Sequence, residues 1–171
     1  MTLAFSSLLE YTDWERQKWL TWLRTQGGSV LALSIGPHGD GRFVTLNDLI
    51  KHIFSAEKRY LERLSGRPLT DPSSIRADSL EELFEFGEQS RKDLRTFVQT
   101  MDPREWDVLH EYIILKYSVQ ATPRKIVLHI LVHELRHWAQ IATILRFSGV
   151  TTGETYDVLR SPVLGGAFCI L

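Results

Sequence analysis

The sequence predicts an all-α fold, a four-helix bundle, on three observations. Four segments repeat apolar side chains at helical spacing. Each is bounded by residues that start or stop helices, and a long polar connection separates the second from the third. Only one short stretch, Tyr112 to Val119, is rich enough in β-branched and aromatic residues to favour an extended excursion or hairpin. Four helices with one long crossover describe a bundle.

The first helix is expected from about Phe5 to Arg24, with Leu8, Tyr11, Trp14, the Lys18 stem and Trp22 on its apolar face; Gly27-Gly28 stops it. The stretch from Ser34 to Arg42, dense in Gly and Pro, is a loop. A second helix begins near Thr45, which can cap it together with Asp48, and runs to Leu64, where Ser65-Gly66-Arg67-Pro68 ends it. The connection through Asp71-Pro72-Ser73-Ser74 is long enough to cross a bundle end, so the third helix need not run antiparallel to the second. That third helix starts at Asp78 or Ser79, where Ser79-x-x-Glu82 forms a capping box, and Asp102-Pro103 closes it. Leu80, Leu83, Phe84, Leu94, Phe97, Val98 and Met101 form its core side. After the extended excursion, Thr122-Pro123 opens the fourth helix with proline at its favoured first position, and Phe147-Ser148-Gly149 ends it. The tail from Val150 onward is irregular, and the 171 residues read as one domain.

Composition narrows the function. With 43% hydrophobic and 24% charged residues the chain is an ordinary globular one, and a net charge of −1 carries no electrostatic footprint for nucleic acid. A single cysteine, Cys169, rules out an internal disulfide or a multi-thiolate zinc site, and its setting marks it as a spectator. The first residues lack the basic start and apolar core of a signal peptide, and no run approaches the ~20 apolar residues of a membrane span. The expected setting is the cytoplasm, with no membrane partner.

Three of the six histidines stand at four-residue spacing in one run, His129-Ile-Leu-Val-His133-Glu-Leu-Arg-His137. Residues four apart lie one turn above another on a helix, so imidazoles there can share a divalent metal. At ~100° per residue His133 and His137 fall on a stripe with Ile126, Ile130, Ile141 and Ile144, which predicts a core-facing position, with His129 and Gln140 at its edge. A buried imidazole left without a partner costs roughly 1–3 kcal/mol, so something must satisfy these rings. His52, at the margin of the second helix's apolar face, is the candidate third ligand, or else a half-exposed boundary residue. His38 sits in a glycine-rich loop, and His110 has no assigned role. The other side of the fourth helix, with Leu128, Leu131, Leu135, Trp138 and Ala142, is also apolar, as a central helix or a homodimer interface requires.

The pattern resembles the DinB/YfiT-like superfamily of DNA-damage-inducible proteins and candidate metalloenzymes. Leu9-Glu-Tyr-Thr-Asp-Trp14 is similar to the family's first helix, and Leu49-Ile-Lys-His52-Ile-Phe-Ser-Ala-Glu57 to its second. The run from Leu128 to Arg146, with His133 and His137, resembles its last-helix signature, and Gly149-Val with Tyr156-Asp157 its exit. The resemblance implies a four-helix bundle in up-down-down-up order and a metal site of His52, His133 and His137. Where the family commonly has Arg-Gly-Gln after the last histidine, this chain has Trp138-Ala139-Gln140. Members with known activities are mostly thiol-dependent transferases or isomerases that use low-molecular-weight thiols.

Three functions compete. The first is a metal-dependent enzyme in which Zn or Ni, held by three imidazoles with an open position, activates a thiol cosubstrate toward a small electrophile. Trp14, Trp22, Tyr60 and Trp106 could line its pocket, although core duty suits each better, and Glu57 could orient a ligand from a second shell. The second is a zinc peptidase through His133-Glu134-x-x-His137, with Glu134 as base and Glu154 as a third ligand. Against it, the chain before the motif lacks the run of sheet strands such enzymes place there, Gln140 and Thr143 break the extended form, and Glu134 should turn toward the helix flank. The third is a non-catalytic, stress-related helical dimer whose histidines are structural.

Overall fold

The computed structural model describes residues 5–36, 41–153 and 156–165; His38, Glu154 and Cys169 lie outside them. Among the described residues the fold is all-α apart from one hairpin and one isolated β-bridge. Helices α1 (Phe5–Gln26), α2 (Leu46–Leu64), α3 (Leu80–Thr100) and α4 (Pro123–Phe147) carry it, with strands β1 (His110–Ile114) and β2 (Tyr117–Ala121) between α3 and α4. Among the described residues no helix is long and apolar enough to cross a membrane.

Local chemistry sets the boundaries. Thr45 Oγ1 accepts from the Asp48 amide at 3.2 Å while Asp48 Oδ2 accepts from the Thr45 amide at 2.9 Å, a reciprocal cap for α2. Ser79 Oγ accepts from the Glu82 amide at 3.2 Å and starts α3. Pro123 opens α4, with Thr122 Oγ1 accepting from the Lys125 amide. Gly149, at φ +76°, ends α4 with Val150 N–H donating to Leu145 O and Gly149 N–H to Arg146 O, a Schellman closure.

The stretch after α1 holds more structure than the expected loop. Gly28–Ala32 winds into a 3₁₀ turn, and Ser34 and Thr45 form a β-bridge with Ile35 N–H donating to Val44 O at 2.9 Å. The excursion before α4 is an antiparallel hairpin in which His110 faces Ala121 and Ile114 faces Tyr117. Its turn places Leu115 at φ +58°.

The chain forms two compact units, residues 1–49 with 134–171, and residues 50–133. Both boundaries fall inside helices, after Leu49 in α2 and after His133 in α4, so each of these helices runs unbroken through one. In the first unit Leu9, Trp19, Leu20, Leu23, Ile35, Leu46, Trp138, Ile141 and Leu145 are buried. The buried face of α1 is therefore Leu9, Thr12, Glu15, Arg16, Trp19, Leu20 and Leu23, whereas Leu8, Tyr11, Trp14 and Trp22 are only half-buried. The expected face was rotated because the true one carries two charged residues, which apolar periodicity assigns to solvent.

In the second unit Ile53, Phe54, Leu61, Leu83, Phe84, Leu94, Val127 and Leu131 are buried. On α3 the expected Leu83, Phe84 and Leu94 are buried, together with Gly87, Ser90 and Arg91, whereas Leu80, Phe97, Val98 and Met101, also expected in the core, are half-buried. Gly87 permits this. A Cβ there would lie 2.8 Å from Phe54 Cγ, and Phe54 is itself buried and set edge-on to Phe84 at 5.1 Å. Gly87→Ala gains about 1 kcal/mol of helix propensity but must displace a ring with no room to move, a cost of about 1–3 kcal/mol. The expected net is a loss of up to 2 kcal/mol, and more for Gly87→Val, read as a lower urea midpoint at unchanged slope.

Candidate metal centre

The helix α4 decides what the histidines can do. Its most deeply buried residues run Val127, Leu131, Glu134, Trp138, Ile141 and Leu145, so the centre of its inward face is Glu134 and Trp138. His133 and His137 sit beside that line and are half-buried; His129 is exposed. This corrects the expectation that the rings occupy the middle of the core stripe. It also overturns the placement of Glu134 on the flank, since Glu134 is 1% exposed. A half-buried imidazole pair suits a ligand site better than a core pair would, because one side stays reachable.

His52, half-buried on α2, does turn toward α4: its Nε2 lies 3.1 Å from His133 Nε2, with ring centroids 4.9 Å apart. His137 follows His133 by one turn of the same unbroken helix, which fixes its distance from His133. One ring nitrogen from each of His52, His133 and His137 lies within 4.8 Å of the other two. Nitrogens bound tetrahedrally at ~2.0–2.1 Å from one ion stand roughly 3.3 Å apart, so the three rings need only small rotations to share it. Gln140 Oε1 lies 2.9 Å from His137 Nδ1; accepting from it puts the proton on Nδ1 and the lone pair on Nε2, the form a metal ligand needs. The residues present fit a divalent cation.

Around this cluster, His129 stands with its ring 5.6 Å from that of His133 and edge-on to Tyr60 at 4.9 Å. Of the four aromatics offered as pocket walls, Tyr60 is thus beside the histidines. Trp106 instead packs against Phe97 and under Arg124. Glu57, expected to orient a ligand, has its carboxylate 2.9 Å from Arg91 Nη2, both side chains nearly fully buried. An open cleft of about 690 Å³ lined by Thr70, Ile75, Arg76, Phe86 and Lys92 contains none of the histidines.

A buried polar group that sequence reasoning missed adjoins the ligands. Arg16 Nε donates to Glu134 Oε1 at 2.5 Å and its Nη2 to Oε2 at 3.0 Å, while the Trp138 indole N–H donates to the same Oε1 at 3.1 Å. Both carboxylate oxygens are thereby engaged, which argues against a general-base role for Glu134 and against the peptidase reading. Glu15, on the same buried face, has its pKa pushed up to about 8, by burial first and the neighbouring Glu134 charge second. The Trp19 indole N–H draws it down only weakly and does not reach hydrogen-bond geometry. Trp19 stacks on Trp138 (5.2 Å, 14°) and on Tyr156 (4.3 Å, 2°), and Tyr156 O accepts from the Tyr11 hydroxyl at 2.9 Å. The signal for this group was present as Glu15-Arg16 at the spacing of the true α1 stripe.

Among curated proteins no relative matches the chain. A family model described as DinB family matches residues 1–162, a span that includes α1 to α4 and all three clustered histidines. By that match the chain belongs to the DinB family.

Proposed function

We propose that the chain is a metal-dependent enzyme of the DinB type. His52, His133 and His137 hold one divalent ion, Zn or Ni, and the reaction is a thiol-dependent transfer or isomerisation on a small molecule in the cytoplasm. The observation that carries this reading is the convergence of three imidazole nitrogens within 4.8 Å. Family membership and the Gln140–His137 hydrogen bond support it. The helix order is read as up-down-down-up; of the face expected to meet a second copy, Leu131 and Trp138 are buried within the chain, and Leu128, 46% exposed on α4, is read as part of a homodimer seam.

When bound, a divalent ion with an open position supplies Lewis acidity and lowers the pKa of a water or thiol beside it. The chain's own residues do the rest. Gln140 holds the tautomer of His137, and the half-burial of the three rings leaves one side for a small molecule. Tyr60 and His129 give that side an aromatic edge.

Elemental analysis and metal titration test the proposal. Wild-type protein should hold one Zn or Ni per chain, and His52→Ala should bind it about 100-fold more weakly, about 2.7 kcal/mol. Equal affinity in the variant, or no binding by the wild type, sinks the three-histidine site. A screen with several cellular thiols and electrophiles then tests the reaction class.

A further inference from the structure

The geometry points to Arg16, Glu134 and Trp138 as positioning residues for the metal site: a buried clamp that fixes the rotation of α4 about its own axis and so the aim of its two histidines. This rests on the metal reading above and adds to it residues that touch no metal.

Three observations carry it. Glu134 occupies the position directly after His133 and three before His137, so whatever holds its carboxylate holds the helix between the two rings. The carboxylate is held from two sides, by the paired donors of Arg16 on α1 at 2.5 and 3.0 Å and by the indole of Trp138 at 3.1 Å. All three side chains are buried, at 1%, 1% and 0% exposure for Arg16, Glu134 and Trp138. A bidentate guanidinium–carboxylate pair fixes direction as well as distance.

Energetics favour geometry over stability as its role. A buried ion pair contributes little net stability compared with apolar residues of the same volume. Metal ligation, in contrast, tolerates only about 0.2 Å of error in each bond. Turning α4 by about 20° moves a Cα, about 2.3 Å from the axis, by about 0.8 Å. Such a turn moves His133 and His137 together by several times that tolerance, and the clamp opposes it. The ring stack of Trp138 on Trp19 braces the same face.

The test replaces the polar group with apolar ones, as Arg16→Met/Glu134→Leu/Trp138→Phe, and titrates Co²⁺ into wild type and variant. Far-ultraviolet circular dichroism and urea unfolding monitor the fold. The expected result is a folded variant that binds Co²⁺ at least about 10-fold more weakly, with a shifted visible d–d spectrum. A folded variant with wild-type affinity and spectrum overturns the inference. Should the triple variant not fold, Arg16→Lys decides: it keeps the charge but gives up the paired donors. Weakened Co²⁺ binding with an unchanged unfolding curve supports the clamp, and wild-type affinity overturns it. Failure of the wild type itself to bind Co²⁺ would instead strike the metal reading on which the clamp depends.

Discussion

Arg91→Met is expected to destabilise the protein by about 3–5 kcal/mol, because it removes the guanidinium paired with the buried Glu57 carboxylate. Arg91 Nη2 stands 2.9 Å from Glu57 Oε2, and both side chains are at most 3% exposed. The large loss is the penalty of a buried charge deprived of this guanidinium and not the worth of the pair. Replacing both partners, Glu57→Leu with Arg91→Met, should therefore recover most of the lost stability. Urea unfolding of the two single variants and the double one makes the comparison, and a double variant as unstable as Arg91→Met would show that the pair is held for more than its charge. Because Glu57 lies on α2 five residues beyond His52, the same series shows whether metal binding follows the stability of α2 or is independent of it.

The second large effect is a dependence on pH. Glu15 titrates at about 8 in the folded chain against 4.5 as its ordinary value. Its folded pKa is raised, so between these values the folded state holds a proton that the unfolded state has released. Stability from this group is full below pH 4.5 and falls as the pH climbs toward 8, at about 1.4 kcal/mol per unit. From pH 5 to pH 9 that amounts to about 4 kcal/mol. Glu15→Gln keeps the shape of the neutral acid and cannot ionise, so it should match the wild type near pH 5 and exceed it by about 4 kcal/mol at pH 9. Parallel unfolding curves for the two proteins across that range would show that Glu15 is solvated and titrates normally.

Much of the fold was legible because it rests on local chemistry. Thr45 with Asp48, Ser79 with Glu82, Thr122-Pro123 and Gly149 are boundary devices that act within four residues, and the helices begin and end at them. The histidine triad was legible in part for the same reason, since His133 and His137 are one turn apart on any helix. The approach of His52 was a matter of tertiary structure: its place at the margin of the apolar face of α2 made it a candidate, and the family resemblance pointed to the same ring. What stayed hidden was burial of charge. Apolar periodicity sends Glu15, Arg16, Arg91 and Glu134 to the surface, yet each is buried beside a partner of the opposite sign or as a neutral acid. For that reason the buried face of α1 differs from the expected one, that of α3 shares only Leu83, Phe84 and Leu94 with it, and Glu134, expected on the flank, lies at the centre of α4.

The division into units bears on how the chain can be made. Residues 50–133 are one uninterrupted stretch, so that unit has all its parts as soon as position 133 leaves the ribosome. The other unit draws its Trp19–Tyr156 ring stack and its Tyr11–Tyr156 hydrogen bond from positions 137 and 145 apart. Its amino-terminal portion must wait, with Trp19 and Leu23 uncovered, until translation has passed Tyr156. During synthesis α1 is therefore the element most exposed to chaperones and to aggregation.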